Sequence, residues 1–195
     1  MLDQFLKKLK MLNISKSSRI LLALSGGIDS MVLMHLLKKG GFDFSIAHCN
    51  FCLRGKESDA DQNFVEQISV SAKNDVFIKR FQTKKYAKEN KISIQMAARK
   101  LRYDWFQMIK EKYSFNYIMT AHHSDDSIET FLINLMRGTG VSGLHGIKEI
   151  NADIIRPLLH FNKKDVLQYA QDHNIGYRED SSNIDDKYVR NKIRN

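Results

Sequence analysis

Cysteine is scarce in this chain, and so are proline and long apolar runs. The two cysteines, Cys49 and Cys52, form one Cys-x-x-Cys. One such pair supplies half of a tetrahedral zinc site, and the cytosol disfavours a structural disulfide. A redox pair or a share of an iron–sulfur cluster stays open, although partner ligands are not evident in the sequence. No apolar stretch approaches membrane-spanning length. Met1 to Lys10 read as the start of an amphipathic helix and lack the apolar core of a signal peptide. These absences predict a cytoplasmic protein with no membrane partner. The only proline is Pro157, and there are no internal repeats or low-complexity tracts. Neither Gly-x-x-x-x-Gly-Lys-Ser/Thr nor Gly-x-Gly-x-x-Gly occurs, so the mononucleotide P-loop and the dinucleotide fingerprint are both excluded.

What is present is ordinary in bulk. A length of 195 residues with 43% hydrophobic and 27% charged content predicts one domain, 1–195, with a sizeable core. Its ends are an N-terminal helical region at about 1–18 and a polar tail at about 176–195. The net charge of +9 is uneven: residues 73–112 hold 12 Lys/Arg against 4 Asp/Glu, and the first 19 hold 5 against 1. Such stripes are either solvated helix faces or surfaces that steer and contact a polyanion.

The chain is organised around Ile20 to Leu24, an apolar run of strand length, which drops into Ser25-Gly26-Gly27-Ile28-Asp29-Ser30. The run that follows has helical spacing, with Ile28, Val32 and Leu36 on one face. Two glycines at a strand-to-helix turn let the backbone reverse and leave its N–H groups uncovered, which makes a site for an anion, most often phosphate. The plain alternative is a glycine turn with Ser and Asp capping a helix. Asp29 favours the nucleotide reading, because an acid beside phosphates is repulsive unless a divalent cation lies between them.

Further strands are expected at 44–48, 76–81, 117–121 and from 154, with helices at about 2–12, 28–38, 58–73, 93–112, after the strand at 117–121, and at about 163–173. Ser58 with Asp61 resembles an N-cap and acidic first turn. Residues 82–91 read as a basic connector. Ile94, Ala98, Leu101, Trp105 and Met108 mark one face of the long helix, and Ile128, Phe131, Leu132 and Leu135 mark the next. The alternation predicts an α/β fold: a doubly wound, Rossmann-like sheet of five parallel strands, ordered 3-2-1-4-5, with helices on both faces. In such a sheet ligands bind beyond the C-terminal strand ends, here between strands 1 and 4.

His122-His123-Ser124-Asp125-Asp126 follows strand 4 where the glycine turn follows strand 1. Taken alone the cluster is a helix cap, a transition-metal site or a magnesium site. Beside a nucleotide loop, Asp29 and Asp126 suit one Mg²⁺ between them, leaving His122 and His123 for substrate or phosphate.

Ser25 to Ser30 resembles the SGGxDS signature of the ATP pyrophosphatases, also called the PP-loop superfamily, whose members split ATP into AMP and pyrophosphate. An ordered series resembles one subgroup of it: His48-Cys49-Asn50, Leu53-Arg54-Gly55, Ser58-Asp59, Ala98-Arg99, Arg102-Tyr103, Thr120 to His123 and Asp125-Asp126. Glu129-Thr130, Arg137 to Gly140, Gly143-Leu144, Arg156 to Leu159, Asp180 to Asn183 and Arg190-Asn191 continue it. The chain beyond residue 18 is similar to the catalytic domain of the tRNA(Ile)-lysidine synthase family. That resemblance implies ATP and Mg²⁺, a tRNA(Ile) with a CAU anticodon and free L-lysine. A homodimer is the oligomer considered. ATP adenylates C2 oxygen of the wobble cytidine, and the lysine ε-amine then displaces AMP. It implies Ser25, Gly26, Gly27, Ile28, Asp29, Ser30 and His48 as ATP contacts, Asp29 and Asp126 as metal ligands, and Asp29, Asp126, Arg99 and Arg190 in catalysis. Arg54, Arg102, His122, His123, Asp125, Glu129, Arg137 and Arg194 are the candidates for tRNA or lysine. The family usually continues into C-terminal domains that help grip the tRNA, and these are absent from the 195 residues. The alternatives are a tRNA 2-thiolation enzyme of the same superfamily, which would use the cysteines, and a non-catalytic ATP-binding module.

Overall fold

A computed structural model describes residues 1–140 and 145–179. Helix α1 (Leu2–Met11) leads into β1 (Ile20–Ala23), α2 (Ile28–Lys39), β2 (Phe44–Asn50), α3 (Lys56–Ala72) and β3 (Val76–Arg80). Then come α4 (Thr83–Glu89), α5 (Ile94–Lys112), β4 (Tyr117–Met119), α6 (Ser124–Met136), β5 (Ile150–Asn151), β6 (Ile154–Ile155) and α7 (Lys163–Asp172).

The sheet is ordered β3-β2-β1-β4-β6-β5. Strand β1 lies between β2 and β4, parallel to both, with Leu22 opposite Ile46 on one side and Met119 on the other. The chain builds outward from β1 through β2 to β3, then crosses back to place β4 on the far side. That reversal is the expected crevice. Five strands keep the expected order and direction. The sixth, β5, was not expected: it pairs antiparallel with β6 in a tight hairpin whose turn holds Ala152 at φ +51°. Two residues are too few to show a period, so the sheet is mixed where the sequence reads as wholly parallel.

Period-two alternation splits the strand side chains between two cores. Ile20, Leu22, Ile46 and Met119 join α1, α2, α3 and α7 on one face. Leu21, Ala47 and Ile118 join Trp105, Phe106 and Ile109 of α5 on the other. Burial of each large side chain here contributes about 1.5–3 kcal/mol. Gly40 lets α1 close on the α2 turn, since a Cβ there would stand 2.8 Å from Leu6 Cδ2 and 3.1 Å from the Leu36 carbonyl.

Four local expectations are corrected. Residues 83–89 of the basic connector form α4, packed on α5. Helix α3 starts at Lys56 with Gly55 as its cap, and Ser58, inside the first turn, accepts a hydrogen bond from Arg54 N at 3.1 Å. The buried face of α5 runs through Ala97, Trp105, Phe106 and Ile109, while Ile94 and Met108 are exposed. Helix α6 buries Asp126 and Glu129 and exposes Ile128, Phe131 and Leu135, because its polar first turns lie against the other cleft-forming segments.

Candidate functional site

The turn after β1 is held by its own hydroxyls. Ser30 Oγ donates to Gly27 O at 2.8 Å, which uses its only hydrogen. Ser25 Oγ therefore donates in the 3.1 Å contact with Ser30 and accepts from Gly27 N at 3.3 Å. Gly26 adopts φ +90°, a conformation that strains any residue with a Cβ. Gly27 caps α2 with no side chain over it, so the first-turn N–H groups, beginning at Ile28, face outward as an anion-binding end.

The turn after β4 stands beside it. His122 Nδ1 shares a 2.9 Å hydrogen bond with Thr120 Oγ1. His123 is buried, and its N–H donates to Asp126 Oδ2 at 3.1 Å, closing the start of α6. His123 Nε2 lies 3.9 Å from Asp29 Oδ1 and 3.7 Å from Asp126 Oδ2, so the two acids expected to share a cation converge on one imidazole. Asp125 Oδ1 accepts from Ser124 Oγ at 3.0 Å, and its Oδ2 accepts from Lys163 N at 3.2 Å. The Lys163 ammonium reaches across to Asp29 Oδ1 at 2.6 Å.

Between these turns a cleft of about 200 Å³ opens on the α5 side of the sheet. Ser25, Asp29, Cys49, Arg102, Tyr103 and His122 are among its walls. Arg102 lies over the Phe51 ring at 5.1 Å, which fixes a cation at one wall. Arg99, one turn earlier, is exposed and stacks 5.0 Å over Tyr103, so it stands behind a wall residue and not at the wall itself. Burial pushes the Cys49 thiol up to about 12, which keeps it protonated and unreactive near neutral pH.

His48, expected among the ATP contacts, is placed elsewhere. Its neighbours Ala47 and Cys49 point into the cleft side, and a one-residue step along a strand turns His48 to the α3 side. There its Nδ1–H donates to Leu24 O at 2.9 Å, and burial lowers its pKa. The ring is neutral, and Nε2 has no partner among the described residues. On the same side Asp61 accepts from Arg54 at 2.6 Å and from Arg178 Nε at 2.5 Å. Arg178 N also donates to Gly26 O at 2.9 Å, so the segment after α7 is tied to the glycine turn. Glu129 is buried in α6, and Arg137 is exposed at its C-terminal end. Arg190 and Arg194 lie outside the described residues.

With this geometry in view, the sequence model of the PP-loop domain matches residues 1–195. The chain belongs to the PP-loop family. Among similar PP-loop proteins, a tRNA(Ile)-lysidine synthase of Bacteroides thetaiotaomicron is 48% identical over 176 residues, covering 90% of this chain and 41% of that one. One from Thermosipho africanus is 44% identical over 199 residues, covering 100% of this chain and 46% of that one. The chain thus spans about two-fifths to one-half of these relatives' length. Among solved structures, the U34-tRNA thiolase NcsA of Methanococcus maripaludis with its 4Fe–4S cluster superposes with a TM-score of 0.76 at 16% identity. It covers 91% of this chain and 64% of that one. The NH3-dependent NAD synthetase of Campylobacter jejuni gives 0.60 at 16%, covering 98% and 77%. At that identity these two show the shared PP-loop fold alone.

Asp29 and Asp126 are the two carboxylates that the turns bring to His123. Among the described residues no three His, Cys, Asp or Glu side chains gather as a metal cluster. Carboxylate oxygens are the donor type that magnesium takes. Three residues tied to the turns or to the segment that reaches them escaped the functional reading of the sequence: Lys163, Asp61 and Arg178. Asp61 carried only a helix-start signal and Lys163 only the Asn162 cap ahead of it; Arg178 carried none.

Proposed function

We propose that this chain activates the wobble cytidine of a tRNA(Ile) with a CAU anticodon by ATP-dependent adenylation and joins free lysine to C2 of the base. The observation that carries this reading is 48% identity over 176 residues to a tRNA(Ile)-lysidine synthase. An alignment over 90% of the chain necessarily includes both cleft turns.

In this reading the N–H groups at the start of α2 and the Ser25 and Ser30 hydroxyls hold the ATP phosphates, where the helix dipole favours negative charge. Asp29 and Asp126 would hold Mg²⁺, which supplies charge stabilisation to the departing pyrophosphate. The C2 oxygen attacks the α-phosphorus, and the bond to the β-phosphate oxygen breaks. That step converts a poor leaving group into AMP. The neutral ε-amine of lysine then attacks C2, AMP departs, and the new C–N bond loses its extra proton to a nearby base. Arg102, fixed over Phe51, faces the negative charge at one wall, and His122 lies at the opposite turn. Holding base and α-phosphorus in one cleft contributes through orientation. The basic surface on α4 and the first half of α5, which borders the Arg102 wall, suits the tRNA backbone.

The test is mass spectrometry of a tRNA(Ile) transcript with a CAU anticodon after incubation with ATP, Mg²⁺ and labelled lysine, alongside pyrophosphate release. Lysine-dependent label on the wobble cytidine is expected. Pyrophosphate released with sulfur incorporated and no lysine would make it a thiolation enzyme; no pyrophosphate under any substrate combination would make it a binding module.

A further inference from the structure

Lys163 is the first residue of α7, behind an Asn162 cap whose side chain accepts from Asp165 N at 2.8 Å. Its N–H is held by Asp125 of the turn after β4, and its ammonium by Asp29 of the glycine turn, at 3.2 and 2.6 Å. One residue therefore bridges both turns of the cleft from a third element. Asp29 is the only partner of the ammonium among the described residues. The pair is partly open, with 36% of the lysine side chain and 31% of the aspartate side chain exposed. A pair so exposed contributes little to folding, so it parts easily.

The charges around it point to what parts it. Asp29 stands in the first turn of α2, beside N–H groups that attract an anion. Polyphosphate entering there is repelled by the carboxylate unless a cation intervenes. A cation that takes Asp29 releases an ammonium with three N–H donors and a flexible stem, next to the arriving oxygens. We propose that Lys163 is a phosphate-binding residue of the cleft, kept on Asp29 in the nucleotide-free protein and handed to the phosphates when polyphosphate binds. This rests on the reading of Ser25 to Ser30 as the phosphate turn.

Calorimetric titration with inorganic pyrophosphate and, separately, with AMP, both with Mg²⁺, tests the proposal on wild type, Lys163→Met and Lys163→Arg. Lys163→Met is expected to bind pyrophosphate at least tenfold more weakly and AMP within twofold of wild type. Lys163→Arg, which keeps the charge, is expected to stay within threefold for both. In the wild-type protein, amine-reactive labelling of Lys163 read by mass spectrometry is expected to fall at saturating pyrophosphate, a measurement that needs no variant to fold. Unchanged pyrophosphate affinity in Lys163→Met, or unchanged labelling, overturns the proposal. Equal weakening for AMP and pyrophosphate, with a lowered melting temperature, reduces Lys163 to a structural tie and also overturns it. If wild type binds neither pyrophosphate nor ATP, the phosphate-turn reading falls and the proposal falls with it.

Discussion

Asp29 has to serve two masters: a lysine 134 positions away and the cation that would accompany a polyphosphate. Its carboxylate is partly exposed, so replacing it by Asn keeps shape and removes charge with little effect on the fold. Asp29→Asn is expected to lower the rate of pyrophosphate release at least a hundredfold while the melting temperature moves by no more than a few degrees. Asp126→Asn should fall similarly, and the double variant should fall no further than either single one, because one cation is lost only once. Rates that multiply would separate the two acids into independent roles. Asp29, Asp126 and His122 were legible as residues of the two turns because each belongs to a short pattern beside a glycine or a strand end, and Arg102 only through its place in the ordered series of landmarks. Lys163, Asp61 and Arg178 were not, because their meaning lies in pairings across the fold, such as Arg178 with Asp61 at a separation of 117 positions.

Helices were legible where an apolar stripe faces a core, and misread where it does not. Helix α2 is nearly enclosed, and its Leu33, Leu36 and Leu37 are fully buried. Helix α6 carries a stripe of equal quality in the sequence, yet Ile128 is 57% and Leu135 51% exposed. Spacing says that a helix has an apolar side; it does not say which side a sheet will cover. The difference is measurable by denaturant unfolding of single variants. Leu36→Ala is expected to cost about 2–5 kcal/mol through lost burial and a cavity, whereas Leu135→Ser should stay within about 0.5 kcal/mol. A large cost at Leu135 would place that side chain in a packed environment after all. Strand β5 failed for another reason, being a product of the β6 hairpin and not of its own two residues.

At the scale of the whole molecule, the charge asymmetry becomes a surface. Lys79 and Arg80 at the end of β3, Lys84, Lys85 and Lys88 on α4, and Arg99 and Lys100 on α5 are all exposed, and α4 packs on α5, the helix that carries Arg102 of the cleft wall. If this surface carries tRNA, the logarithm of the affinity should fall linearly and steeply with the logarithm of salt concentration, as counterions are released from the nucleic acid. A flat dependence in a filter-binding series would return these residues to ordinary solvated faces.

The tie between Asp29 and Lys163, and that between Gly26 and Arg178, set a timetable as well as a geometry. A chain leaving the ribosome exposes the glycine turn early, when β1 has only β2 and β3 to pair with. The neighbour on its other side, β4, arrives about a hundred residues later, and α7 later still. Long-range closures of this kind are slow, and the growing chain waits for them at a pace of several residues per second. For most of its synthesis the protein therefore has a half-sheet and no working pocket. The glycine turn gains β4 as its neighbour some way past the middle of the sequence, and its ties to Lys163 and Arg178 only later still.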